Sequence, residues 1–164
     1  MTHRSVRVAV IDSGVNPAHP HVGPAAGGTA IATDGSTNTD YVDRLGHGTA
    51  VAAAIHERAP SAELFAVKVF DRQLSASIEV LVAGIEWAAA HHVDLINLSL
   101  GTANQTHAAA LQSAVVRAAE AGALLVAAGT DDGVAYLPGS LNGVVQVELD
   151  WVCPRLAVEV ASRS

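Results

Sequence analysis

Apolar positions along this chain switch between two periods, and the switches mark out its elements. Residues 6–11 form a short valine-rich run that ends at Asp12, Ser13 and Gly14, the pattern of a buried strand closed by a turn. A second short strand is expected over 29–33, after a loop of Gly, Pro and Ala at 17–28. His47 then opens a stretch of small and apolar residues, Gly48 through Ile55, that reads as a buried helix stopping before Pro60. Residues 63–70 return to the alternation of a strand. Ile78, Leu81, Val82, Ile85 and Ala89 recur at helical spacing, which predicts an amphipathic helix reaching about His91, with His91 and His92 at the negative end of its dipole. A strand over 93–98 follows, then a helix with Ala108, Leu111, Val115 and Ala118 on one face and Gly122 as its cap, then a buried strand over 123–128. Strands over 144–149 and 156–160 complete the expected set.

Strands separated by helices of this length predict an α/β fold in three layers, a mostly parallel twisted sheet with helices on both faces. With 164 residues the expectation is a single domain, 1–164, able to bury a core without a disulfide or a structural metal. No internal repeat, low-complexity tract or linker divides it.

Composition narrows the function classes. Half of the residues are hydrophobic and 15% are charged, too apolar a balance for a disordered chain. Nine Lys and Arg against 16 Asp and Glu leave a net charge of −7, which repels phosphate backbones and anionic lipid, so neither nucleic acid nor a membrane is an expected partner. No apolar run approaches the ~18 residues of a membrane span. The single cysteine, Cys153, has no internal partner, and no Cys-x-x-Cys pair is present to hold zinc. Residues 6–11 are too short for a signal-peptide core. A soluble cytoplasmic protein is the expectation.

Asp12 falls at the carboxyl end of the first strand, where the functional groups of open parallel sheets collect. His47 falls at the start of the next helix. The two can meet as an oriented carboxylate and imidazole, the aspartate fixing the tautomer and stabilising the imidazolium. Spacing alone leaves the ordinary alternative open: a strand-end aspartate that caps a helix, and a histidine that is packed or solvated.

The local sequence words add to that reading. Val10-Ile11-Asp12-Ser13-Gly14, His47-Gly48-Thr49-Ala50-Val51-Ala52, Gly84-Ile85-Glu86-Trp87-Ala88, Ile96-Asn97-Leu98-Ser99-Leu100-Gly101 and Val126-Ala127-Ala128-Gly129 resemble, in order, successive blocks of the subtilisin-like serine protease family. The resemblance runs from Val6 to about Asp150 and more loosely to Val160. It implies that Asp12 is the triad aspartate and His47 the general base. It further implies that Ser99, Leu100 and Gly101 form the edge that pairs with a substrate backbone, with Leu74, Ser75 and Ala76 as the opposite wall. Ala127, Ala128 and Gly129 resemble the wall of the main specificity pocket, left narrow or open by their small side chains.

Two departures alter what the resemblance implies. Thr130 stands where the family has an asparagine whose amide stabilises the oxyanion, and losing one such donor costs on the order of 100- to 1,000-fold in turnover. The nucleophile block, Gly-Thr-Ser-x-Ala-x-Pro, does not occur before Ser164. Gly48-Thr49 and Gly101-Thr102 are each followed by alanine, and Ser13, Ser99 and Ser140 lie in blocks with other roles. The expected fold is therefore subtilisin-like but C-terminally truncated. No propeptide is expected before Val6, and the family's extended calcium loop has no room here, so no metal and no cofactor is expected. His19 and His21 flank Pro20 and His91 and His92 are adjacent, for which solvated or capping roles are expected.

These observations lead to the expectation of a pseudoprotease. It is inactive alone and binds a peptide or protein partner, as a scaffold in precursor-peptide processing. The alternatives are one subunit of a split serine endopeptidase whose serine comes from another chain, and a remnant with no activity. Nucleotide binding lacks its signature, since no Gly-x-Gly-x-x-Gly follows the first strand. Absence of the serine helix would leave an apolar trough beside the helix from His47. Covering even ~400 Å² of it is worth ~10 kcal/mol before association costs. A homodimer or hetero-oligomer is thus expected through this surface, with Val51, Ile55 and residues 151–160 near the contact. The alternative is that residues 151–160 fold back and fill it.

Overall fold

The computed structural model of the chain describes residues 4–131, 133–154 and 156–161. In chain order its elements are β1 (Arg7–Asp12), β2 (Ala25–Ile31), β3 (Thr37–Asn38), α1 (His47–Arg58), β4 (Glu63–Lys68), α2 (Ile78–Ala90), β5 (Leu95–Leu98), α3 (Ala108–Glu120), β6 (Leu124–Ala128), β7 (Thr130–Asp131), β8 (Val134–Ala135) and β9 (Val144–Val147). One seven-stranded sheet runs in the order β3-β2-β4-β1-β5-β6-β9, and β7 and β8 form a separate hairpin. β1 lies inside the sheet, parallel to β4 on one side and β5 on the other. Its pairs are parallel except β2 with β3, so the expected α/β architecture is the one observed.

Local signals account for most element ends. Ser77 caps α2 by accepting from the Val80 N–H at 3.4 Å, and Gly122 takes φ 89° just beyond α3, the left-handed stop expected of a C-terminal glycine. β2 starts earlier than its pattern predicts, at Ala25 rather than Thr29. Gly27 and Gly28 have poor strand propensity, but they pair with Phe65 and Ala66 of β4 after a bulge, and a glycine lets the Phe65 ring lie directly against the backbone. β4 ends at Lys68 because the N–H groups of Val69 and Phe70 turn to the Asp12 carbonyl oxygen, at 2.8 and 3.3 Å. The expected strand over 156–160 is not formed. Its alternating apolar residues have no neighbouring ladder to join, and Val158 and Val160 remain 85% and 95% exposed.

The two faces of the sheet are covered unequally. α2 and α3 pack on one face over Ile11, Val67, Ile96, Leu98 and Leu125, with Ile85 and Leu111 from the helices at the centre. α1 packs on the other face over Val8, Leu64 and Ala66 through Ala52. The expectation that α1 is buried all round is not met: Gly48, Thr49 and Ala52 are buried, while Ala50 and Ala54 are exposed and Val51 and Ile55 are half-buried. Beyond α1 the same face continues across β6 and β9, where Leu124, Val145 and Val147 are each about half exposed. Residues 151–160 do not fill it among the described residues. Trp151 and Val152 are exposed, and the contact to α1 is a hydrogen bond from Arg58 Nη2 to the Leu156 carbonyl at 3.3 Å.

Candidate active site

β1 delivers Asp12 to the carboxyl edge of the sheet fully buried. Its carboxylate accepts the Ser13 N–H at 2.7 Å and meets His47 Nδ1 with both oxygens, at 2.8 and 2.9 Å. An ionised carboxylate only accepts, so this contact places a hydrogen on Nδ1, and in the neutral imidazole Nε2 keeps the lone pair. The His47 side chain is 40% exposed. A buried carboxylate behind an accessible imidazole is the geometry of a general base held in one tautomer.

Close packing of backbones makes this pair possible. His47 is the first residue of α1, and the helix start comes so near the turn after β1 that a Cβ at Gly48 would collide with the Gly14 carbonyl oxygen. Gly14 itself holds φ 97°, a conformation open to glycine. The Gly48 N–H donates to Ser13 Oγ at 3.0 Å, so Ser13 serves the helix start. Gly46, the residue before α1, offers no side-chain cap, and Asp43 supplies one instead. Its Oδ1 accepts from the N–H groups of Leu45 and Gly46 at 2.8 and 2.9 Å. Its Oδ2 accepts from the N–H and the hydroxyl of Thr49 at 2.9 and 2.6 Å. Partial burial pushes the Asp43 carboxyl up, but the bonds from Thr49, Gly46 and Leu45 together hold it below the ordinary carboxylate value. Asp43 is not among the site residues expected from the sequence. Its signal was an aspartate just upstream of a helix start that lacks a capping side chain of its own.

The two expected walls of the groove face each other. Ser99 and Gly101 are exposed and Leu100 half-buried, and Leu74, Ser75 and Ala76 are exposed opposite them. Between them lies a cleft of about 250 Å³ lined by Phe70, Leu74, Ile78, Leu81, Leu100 and Gly101. The far end of the 99–101 edge is anchored, because Thr102 pairs antiparallel with Leu137. Ser99 Oγ accepts from Asn97 Nδ2 at 2.9 Å.

Ala127 and Ala128 end β6 and Gly129 follows it, with Ala127 and Gly129 buried and Ala128 half-buried. Thr130 Oγ1 accepts from Gln146 Nε2 at 2.8 Å, and the same amide donates to Glu148 Oε1 at 2.7 Å. Gln146 also lies across Gly129, where a Cβ would collide with its side chain. Gln146 was missed in the sequence because the register of β9 against β6 brings it there. Among the histidines outside this pair, His19 Nδ1 accepts from the His21 N–H at 3.3 Å, while His91 stacks on Trp87 at 3.7 Å and pairs with its carbonyl oxygen at 2.7 Å. His92 adopts φ 53° after α2.

A parallel sheet whose inner strand presents a buried aspartate to a helix-start histidine, beside a cleft with an exposed backbone edge, defines the α/β class of serine peptidase homologues. The chain belongs to the subtilase family, whose sequence profile matches residues 3–149. It is 38% identical over 160 residues to the minor extracellular protease Epr of Bacillus subtilis, covering 90% of this chain and 24% of that protein. It is 41% identical over 153 residues to the thermostable alkaline protease of Halalkalibacterium halodurans, covering 86% of this chain and 40% of that protein. Among solved structures, the S41 psychrophilic protease superposes with a TM-score of 0.68 at 27% identity, over 87% of this chain and 52% of its own. The epidermin leader peptide processing serine protease of Staphylococcus aureus shares the fold, with a TM-score of 0.72 at 20% identity over 88% of this chain and 46% of its own. The chain thus spans about a quarter to a half of the length of these relatives.

Proposed function

We propose that this chain is a catalytically incomplete subtilisin-like protein that holds a peptide or protein partner, such as a precursor peptide being processed, in the cleft between residues 74–76 and 99–101. The observation that carries this reading is the combination of an open backbone edge with serines committed elsewhere: Ser13 Oγ accepts from Gly48, and Ser99 Oγ from Asn97. Thr130, at the oxyanion position, is tied to Gln146. The half-covered sheet face at Leu124, Val145 and Val147 supports association there with a second copy or a dedicated partner, since apolar surface of this kind favours being covered.

Fluorescence polarisation with capped, labelled peptides tests the reading, alongside light scattering and a fluorophosphonate probe. Saturable peptide binding that weakens in Leu100→Asp, with no labelled serine, is the expected result. Stoichiometric labelling of a serine in this chain, or the absence of binding to any peptide, overturns it. A second reading is favoured by the partly exposed imidazole of His47: the dyad serves a serine supplied by another chain, as in a split endopeptidase. Labelling that appears on a serine-bearing partner only when the two are mixed, and is lost in His47→Ala, would select that reading.

A further inference from the structure

A larger cleft of about 700 Å³ opens at the carboxyl ends of β2 and β4 and shares Phe70, Ser75 and Ala76 with the peptide cleft. Its volume lies within the range of small-ligand sites. Its base is apolar, with Ile31, Val69, Phe70 and Val80 buried, and its charged groups are joined in one ion-pair network. Asp71 takes Lys68 Nζ at 2.8 Å, Arg44 Nη1 at 3.4 Å and Arg72 Nε at 3.8 Å. Asp40 takes Arg44 Nη2 at 2.6 Å. Three cations against two carboxylates leave a local excess of one positive charge, in a chain whose net charge is −7.

The donors are only partly used. Lys68 is almost wholly buried, and its ammonium, which also donates to the Val42 carbonyl at 3.1 Å, retains a third N–H. Arg72 is 91% exposed and is tied only by its long contact to Asp71 among the described residues. The Asp71 and Asp40 carboxyls are held below their ordinary range, chiefly by hydrogen bonds from Lys68 and Arg44 respectively. Both therefore stay ionised and already neutralised. A basic side chain entering the cleft would find no unmatched negative charge, whereas a carboxylate would find guanidinium N–H groups with spare capacity.

We propose that this cleft is an acidic-residue subsite: it takes a Glu or Asp side chain of the same peptide that places an apolar side chain against Leu74, Ile78 and Leu81. The proposal rests on the peptide-binding reading above and adds the partner's chemistry to it. Methylene groups of the acidic residue lie on the apolar base while its carboxylate reaches Arg72 and Arg44.

A set of acetylated, amidated hexapeptides tests it, each with one fixed Leu and a single Glu, Gln or Lys walked through the other positions. Binding is read by polarisation at low and physiological salt. At one position Glu is expected to bind roughly five-fold tighter than Gln, with Lys weakest, and the preference to shrink with added salt. Arg72→Glu, a substitution at an exposed side chain, is expected to abolish the preference for Glu over Gln, and Arg44→Gln to weaken it. Equal binding of Glu and Gln peptides at all positions overturns the acidic subsite and leaves the peptide groove standing. Failure of every peptide to bind overturns both.

Discussion

Asp43 Oδ2 accepts two hydrogen bonds from Thr49, one from its N–H at 2.9 Å and one from its hydroxyl at 2.6 Å. The Thr49 hydroxyl oxygen in turn accepts the Asn16 N–H at 3.0 Å. The loop after β1, which carries Asp12, is in this way fastened to the first turn of α1, which carries His47. The Asp12–His47 pair is therefore backed by a second pair, Asp43 and Thr49.

Removal of that support is expected to act on both stability and geometry. Asp43→Ala strips the acceptors from three N–H groups and one hydroxyl and should cost about 1–3 kcal/mol in urea denaturation. Asp43→Asn keeps an acceptor oxygen and should lose less. Histidine-ring NMR gives the second readout: the protected Nδ1–H of His47 should exchange faster in Asp43→Ala than in Asp43→Asn. Equal exchange in both would show that Asp43 caps the helix without orienting the imidazole.

Acid should weaken the fold through its depressed carboxylates, Asp94 and Asp43 among them. Asp94 is held at about 2, chiefly by Arg4 and then by the Arg7 N–H, and Asp43 is also depressed. A group depressed in the folded state adds stability that is complete above its unfolded value, ~3.9, and is lost as pH falls through the folded value. For Asp94 the loss should run from about pH 4 toward pH 2. Arg4 is well solvated, so Asp94→Asn should cost only on the order of 1 kcal/mol at pH 7. The same substitution should flatten the melting-temperature profile across that acid window.

Gly48→Ala tests the close approach of α1 to the β1 turn. The new methyl meets backbone, the Gly14 carbonyl oxygen, rather than a movable side chain. Overpacking against backbone should cost roughly 3 kcal/mol or more, despite alanine's better helix propensity. A melting temperature at or above that of the parent chain would contradict the packing described.

At Gly129 the obstacle is the Gln146 side chain, which can move. Gly129→Ala should cost about 1 kcal/mol, and much of that should vanish in the Gln146→Ala background, giving a coupling near 1 kcal/mol in a double-mutant cycle. Strict additivity would mean that Gln146 already lies elsewhere in solution.

Much of this architecture is legible in the chain itself. Period and turn residues placed β1, α1, α2, α3 and β6 within a few positions, because each element's burial pattern is written locally in side-chain hydrophobicity. Asp12 and His47 were legible as a pair through their strand-end and helix-start contexts, and the family through five ordered words. Local pattern did not determine which strands would find partners. Residues 156–160 alternate as a strand does and remain unpaired, whereas the glycines of β2 pair because β4 lies beside them. Tertiary structure alone decided that Gln146 covers Gly129 and ties Thr130, and that Arg44 reaches Asp71. The physical reason is common to all of these: local sequence specifies a residue's preference for burial and backbone shape, whereas a hydrogen bond or ion pair requires a partner whose position is set by the register and packing of distant elements.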